Sequence, residues 1–135
     1  MYINNSVAED YIRNNIDEVD WYRISCTQDL SESFIREFQD KVDWDGICYQ
    51  QNLSENFIRE FQDKVNWINI SRKQILSESF IREFQDKVNW HEISWNQTLS
   101  KILILDFTNR LNIDLISKYQ ELDRETREYL KLLKG

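Results

Sequence analysis

The chain has 135 residues, 17 basic against 24 acidic side chains for a net charge of −7, and five Trp, six Tyr and seven Phe, yet no Pro and only two Gly. The acidic balance argues against a nucleic-acid partner, whose phosphates call for a basic surface, and the chain holds no apolar run of about 18 residues that could span a membrane. Cys26 and Cys48 are too few for a disulfide framework, and with His91 the only histidine they form no metal-ligand set, so both are read as free thiols.

Met1-Tyr-Ile-Asn-Asn5 lacks the basic start and apolar stretch of a signal peptide, so an intracellular location is expected. Turns ordinarily lean on Pro and Gly, and their scarcity predicts turns built from helix caps. Taken in order, the chain opens with Tyr11-Ile-Arg-Asn-Asn-Ile-Asp-Glu-Val-Asp-Trp21, the worn first copy of a repeated block. The clean form is Phe34-Ile-Arg-Glu-Phe-Gln-Asp-Lys-Val-Asp-Trp44, which recurs with one change from Phe57 to Trp67 and from Phe80 to Trp90, a period of 23 residues. A fifth copy, also worn, ends at Ile113. A fixed period of this length marks an array of stacked units. The boundaries fall at about residues 7–29, 30–52, 53–75, 76–98 and 99–121, all in one repeat domain covering 1–135.

Each unit divides into two helices. In the third, Ser54 is placed to cap helix A, with Leu53 and Ile58 as a hydrophobic staple. Phe57, Ile58, Phe61 and Val65 then form one apolar stripe, opposite a charged side on which Glu60 and Lys64 read as an i,i+4 pair. Asn66 caps helix B, flanked by Val65 and Ile70, and helix B runs from Trp67 until Ser77 caps the next helix A. Trp21, Trp44, Trp67, Trp90 and Ile113 are expected to stack along the core. Helices shorter than about 12 to 15 residues are marginal alone, so stacking must stabilise them. The period also suits leucine-rich repeats, but the L-x-x-L-x-L-x-x-N pattern is absent and the apolar spacing is helical. Tetratricopeptide and Sel1-like units are longer. After Leu122, residues 123–133 read as a capping helix begun by Asp123, with a charged outer side suited to the end of a solenoid. At the opposite end, Asn15 stands where Phe38, Phe61 and Phe84 stand later, which loosens the first unit. The fold class is thus an all-α solenoid of two-helix repeats with a C-terminal capping helix.

The repeated wording Leu-Ser-Glu-x-Phe-Ile-Arg-Glu-Phe-Gln-Asp-Lys-Val-Asn-Trp-x-x-Ile-Ser resembles the short tandem repeats of a group of proteins encoded by giant DNA viruses of amoebae, over about residues 7 to 122. The resemblance implies a viral repeat protein of the host cytoplasm. It implies no catalytic residue and no cofactor.

Helix A hardly changes between copies, whereas helix B varies. After each Trp the pairs read Tyr22-Arg23, Asp45-Gly46, Ile68-Asn69 and His91-Glu92, and Asp114-Leu115 follows Ile113. Further along helix B they read Cys26-Thr27, Tyr49-Gln50, Arg72-Lys73, Trp95-Asn96 and Lys118-Tyr119. An idle face should be charged, but this one carries aromatic and aliphatic groups, as interfaces do. Tyr22, Tyr49, Ile68, Arg72, Trp95 and Tyr119 are therefore the candidate partner-binding residues, with a host or viral protein as partner. The competing reading places the aromatics, Trp95 above all, in the core between neighbouring helices B. Gln28, Gln51, Gln74, Gln97 and Gln120 recur at one position and are read as a hydrogen-bonded ladder. Ser25, Ser71, Ser94 and Ser117, with Cys48 once, are read as small residues that keep helices close. His91 has no repeated partner or nucleophile near it, so no enzyme is expected. A helical array can read RNA one base per unit, but the acidic charge opposes it. Leu103, Ile104, Leu105 and Leu132 exceed the needs of one narrow stripe, which suggests a homodimer as the alternative to a dedicated ligand.

Overall fold

The computed structural model describes residues 5–134, and the expectation about a leader at Met1–Asn4 lies outside them. The chain is an all-α solenoid of short helix pairs with a C-terminal helix. Its described residues form eleven helices and no strand. Two compact units, residues 1–69 and 70–135, divide inside one helix, and each is taken in turn.

The first unit holds α1 (Asn5–Asn14), α2 (Trp21–Thr27), α3 (Glu32–Glu37), α4 (Trp44–Gln50), α5 (Glu55–Glu60) and the start of α6 (Trp67–Lys73). Ser31 and Ser54 cap α3 and α5 by accepting from the backbone N–H of Phe34 and Phe57, and Asp20 and Asp43 cap α2 and α4 through Arg23 and Gly46. Helix A is shorter than its sequence stripe suggests: α5 stops at Glu60, and Phe61 (φ −107°, ψ 28°) opens a turn. The exposed carbonyls there are taken by side chains. Gln62 Nε2 donates to Arg59 O at 3.1 Å and the Trp67 indole donates to Gln62 O at 3.0 Å, with Gln39 and Trp44 doing the same one repeat earlier. These bonds satisfy orphan groups at a helix end without Gly or Pro.

The expected Glu60–Lys64 pair is not formed. Because α5 has ended before Lys64, Glu60 turns to Arg36 of the preceding repeat at 2.7 Å, and Lys64 reaches Asp40 at 3.0 Å. The core also lies deeper than expected. Phe34, Ile35, Ile47, Phe57 and Ile58 are fully buried, whereas Trp21, Trp44 and Trp67 are half-buried. Trp21 and Trp44 pack on the next helix A: Trp21 lies 5.2 Å from Phe38, and Trp44 lies 5.2 Å from Phe61.

The second unit holds the rest of α6, then α7 (Glu78–Glu83), α8 (Trp90–Asn96), α9 (Lys101–Asp106), α10 (Ile113–Tyr119) and α11 (Arg124–Lys134). Ser77, Asn89, Ser100 and Asn112 cap α7 to α10. Ile70, Phe80, Ile81, Ile93, Leu103, Ile104 and Ile116 form the core, so Leu103 and Ile104 are interior, while Leu105 and Leu132 are exposed. Trp90 stacks on Phe107 at 4.9 Å.

Helix α11 is helix A of a sixth repeat. Asp123 sits in register with Ser100 and accepts from Thr126 N–H at 2.6 Å, while Thr126 and Arg127 occupy the Phe and Ile positions. Arg127 Nη1 donates to Ser117 O at 2.7 Å, the carbonyl that a further ladder glutamine would bond. The stack is closed by a substituted side chain. No described helix is long and apolar enough to cross a membrane.

Candidate interaction surface

The variable positions sit on a frame of bonds that repeats every 23 residues. In the first unit Gln51, buried, donates from Nε2 to Gln28 O at 2.6 Å and to Ser25 O at 3.2 Å, and accepts from Leu30 N–H at 3.0 Å. In the second unit Gln97 does the same to Gln74 O, Ser71 O and Leu76 N–H, and Gln120 to Gln97 O, Ser94 O and Leu99 N–H. The glutamine ladder is therefore as the sequence suggested, and each rung bonds two carbonyls of the preceding repeat and the N–H that opens its own.

The serines do more than stay small. Ser25 Oγ donates to Trp21 O at 2.7 Å and accepts from Asp43 N–H at 2.9 Å, and Ser94 bonds Trp90 O and Asn112 N–H alike. At the same place Cys48 Sγ accepts from Asn66 N–H at 3.3 Å, and burial pushes its thiol up to about 11. A third ladder was not anticipated. Glu9 accepts from Ser31 N–H at 2.7 Å, Glu32 from Ser54 N–H at 2.6 Å, and Glu78 from Ser100 N–H at 2.8 Å. Where Asp123 replaces the capping serine, Lys101 replaces the glutamate and pairs with it at 3.1 Å. Hydrogen bonding from Thr126, through its backbone N–H, and then from Lys101 holds the Asp123 carboxyl down to about 2. The recurrence of Glu every 23 residues, at Glu9, Glu32, Glu55 and Glu78, was the signal in the sequence that could have revealed this ladder.

The variable pairs after each Trp separate into two roles. The first member, at Tyr22, Asp45, Ile68, His91 and Asp114, is exposed throughout; the second turns towards a neighbouring helix B in several repeats. Gly46 lies so close to α2 that a Cβ there would stand 2.7 Å from Cys26 Sγ, so any side chain at this position would require Cys26 to shift. Glu92 is buried and holds Arg72 through bonds of 2.9 and 3.1 Å, with Asn96 Nδ2 donating at 2.8 Å. The Arg72 hydrogen bond is the main cause that lowers the Glu92 carboxyl below its ordinary range. Part of the variation is thus fitted between adjacent repeats.

Of the six candidate residues, the first unit carries Tyr22, Tyr49 and Ile68, all exposed on helices B. In the second unit Arg72 is engaged with Glu92, and Trp95 and Tyr119 lie side by side with ring centroids 6.1 Å apart. Both rings are open, at 48% and 47% exposure, so Trp95 is not core. His91 and Trp95 form a T-shaped pair with ring centroids 6.2 Å apart, and Lys118 Nζ sits 5.1 Å from the Tyr119 ring centre. The result is an aromatic shelf with the Lys118 ammonium beside it. No group of three or more His, Cys, Asp or Glu able to hold a metal occurs among the described residues. Comparison with protein-family models, curated proteins and solved structures returns no match.

Proposed function

We propose that the chain is a non-enzymatic protein-interaction module, viral in origin and acting in the host cytoplasm, which takes a host or viral protein onto the exposed faces of its helices B. It needs no cofactor. The observation that carries this reading is the Trp95–Tyr119 shelf, two half-open rings at positions that differ from repeat to repeat above a frame that does not. Aromatic groups presented on a rigid element lose little conformational freedom when covered, and Trp and Tyr dominate the energetics of many interfaces. Repeat proteins present such variable positions as extended recognition surfaces.

The test is affinity capture from host or infected cells with the parent chain, with a Tyr49→Ala/Trp95→Ala variant, and with Gln39→Ala, which alters the turn after α3 instead. The expected outcome is a partner retained by the parent and the Gln39 variant and lost from the double variant. An identical partner set for all three baits would remove the helix B faces as the binding surface.

A further inference from the structure

In the second unit the last turns of the helices B hold corresponding positions of three successive repeats. They carry Arg72-Lys73 on α6, Trp95-Asn96 on α8 and Lys118-Tyr119 on α10, which amounts to cations and aromatic rings with no carboxylate among them. The whole chain has a net charge of −7, so this strip is opposite in sign to the molecule that bears it. Glu92 reaches it from the first turn of α8 but is buried and engaged with Arg72 at 2.9 Å. Asp114 stands at the opposite end of α10, and Glu121 lies in the loop beyond it.

On the helix A side of the same unit, cations are matched by carboxylates: Arg82 by Asp106 at 2.8 Å, Arg110 by Asp86 at 2.9 Å and Lys101 by Asp123 at 3.1 Å. Lys118 differs. Its ammonium meets no carboxylate among the described residues and lies 5.1 Å from the Tyr119 ring centre. A Lys or Arg brought by a partner would find that ring face taken by a like charge, and Arg72, which remains exposed, would repel it too. A carboxylate would instead find Lys118 open. Such a surface selects by attraction and by exclusion together. The acidic bulk of the chain does not reverse the sign, because at about 0.15 M salt charges more than about 8 Å away are largely screened. Packed helices stand about 8–10 Å apart, so α6, α8 and α10 together span about 16–20 Å, the reach of about six extended residues.

We propose that the helix B surface of the second unit takes an acidic segment of its partner protein. The segment is an extended stretch of about six residues that lays an aromatic or aliphatic side chain over Trp95 and Tyr119 and sets Asp or Glu against Lys118 and Arg72. This rests on the helices B being the binding surface and adds the chemistry of what they bind.

Selection from a displayed library of random peptides of about twelve residues, twice that span, tests it at about 0.15 M salt with the parent chain, Trp95→Ala and Lys118→Glu as baits. Both substituted positions are exposed, and circular dichroism verifies that the variants fold. Peptides retained by the parent are synthesised and titrated by fluorescence anisotropy. The expected peptides place Asp and Glu around one apolar residue, and they bind about tenfold or more weakly to Trp95→Ala and about fivefold or more weakly to Lys118→Glu. Peptides that depend on Trp95 but are neutral or basic, or that bind Lys118→Glu as tightly as the parent, overturn the acidic segment and leave the interaction module standing. A selection without any Trp95-dependent peptide also overturns it, and affinity capture with the Tyr49→Ala/Trp95→Ala variant then decides separately whether the helix B faces bind at all.

Discussion

Replacing Gln51 by alanine removes three hydrogen bonds at once and leaves Leu30 N–H, Gln28 O and Ser25 O short of a partner. A buried polar group left unsatisfied costs about 1–3 kcal/mol. The Leu30 N–H bond is buried, whereas Gln28 O sits beside an exposed residue where water can replace the lost donor, so the expected loss is about 2–4 kcal/mol rather than three full penalties. For a chain of this size that lowers the melting temperature by about 8–15 °C. Gln28 is the internal control. It holds the same place in the first repeat, but it is exposed and its side-chain amide meets no partner among the described residues, so Gln28→Ala should cost less than about 0.5 kcal/mol. Urea denaturation followed by circular dichroism and by Trp fluorescence measures both. Gln51→Glu adds a pH signature. An ionised carboxylate cannot donate to two carbonyls, so burial raises the pKa of the introduced carboxyl above its unfolded value near 4.3. That variant should be nearest the parent below about pH 4 and lose stability as pH rises through the raised folded value. Losses for Gln28→Ala and Gln51→Ala within about 1 kcal/mol of each other would refute the assignment of the ladder as a main tie between repeats.

Trp44→Ala should cost about 2–4 kcal/mol in the same denaturation assay, less than a fully buried indole, because Trp44 is half-buried against Phe57 and Phe61; a variant as stable as the parent contradicts the packing. The carboxyls of Asp123, Glu92, Glu60 and Glu78 are all lowered by their hydrogen bonds. Their stabilisation is complete above the unfolded pKa near 4 and is lost as pH falls through the folded values, which for Asp123 means towards about 2. Asp123→Asn should therefore flatten the fall in stability between about pH 4 and 2, and an unchanged profile would count against the cap. Alkylation of the folded chain at about pH 8 should mark Cys26 and spare Cys48, whose thiol is buried and raised to about 11; peptide mapping that finds equal labelling would place Cys48 at the surface.

The repeat, the alternation of two short helices, their capping residues and the recurring glutamine were all legible in the sequence because each depends on local or strictly periodic information. A Ser ahead of Phe34, Phe57 or Phe80 needs only the next turn to act as a cap, and a polar residue repeated every 23 positions signals a repeated bond. The partners of the charged groups were not legible. Glu60 and Lys64 have the spacing of a helical pair, but side-chain bonds end α5 at Glu60, and the stacking of neighbouring repeats then offers Arg36 and Asp40 at shorter reach. The same limit hid the double role of Ser25 and the pairing of Arg72 with Glu92, since both depend on which helix lies alongside. Exposure was decided there too. Trp44 and Trp95 are the same residue type on helices B, yet Trp44 packs on the next helix A and Trp95 opens to solvent beside Tyr119, because position on the helix relative to its neighbours, not hydrophobicity, sets what can be covered.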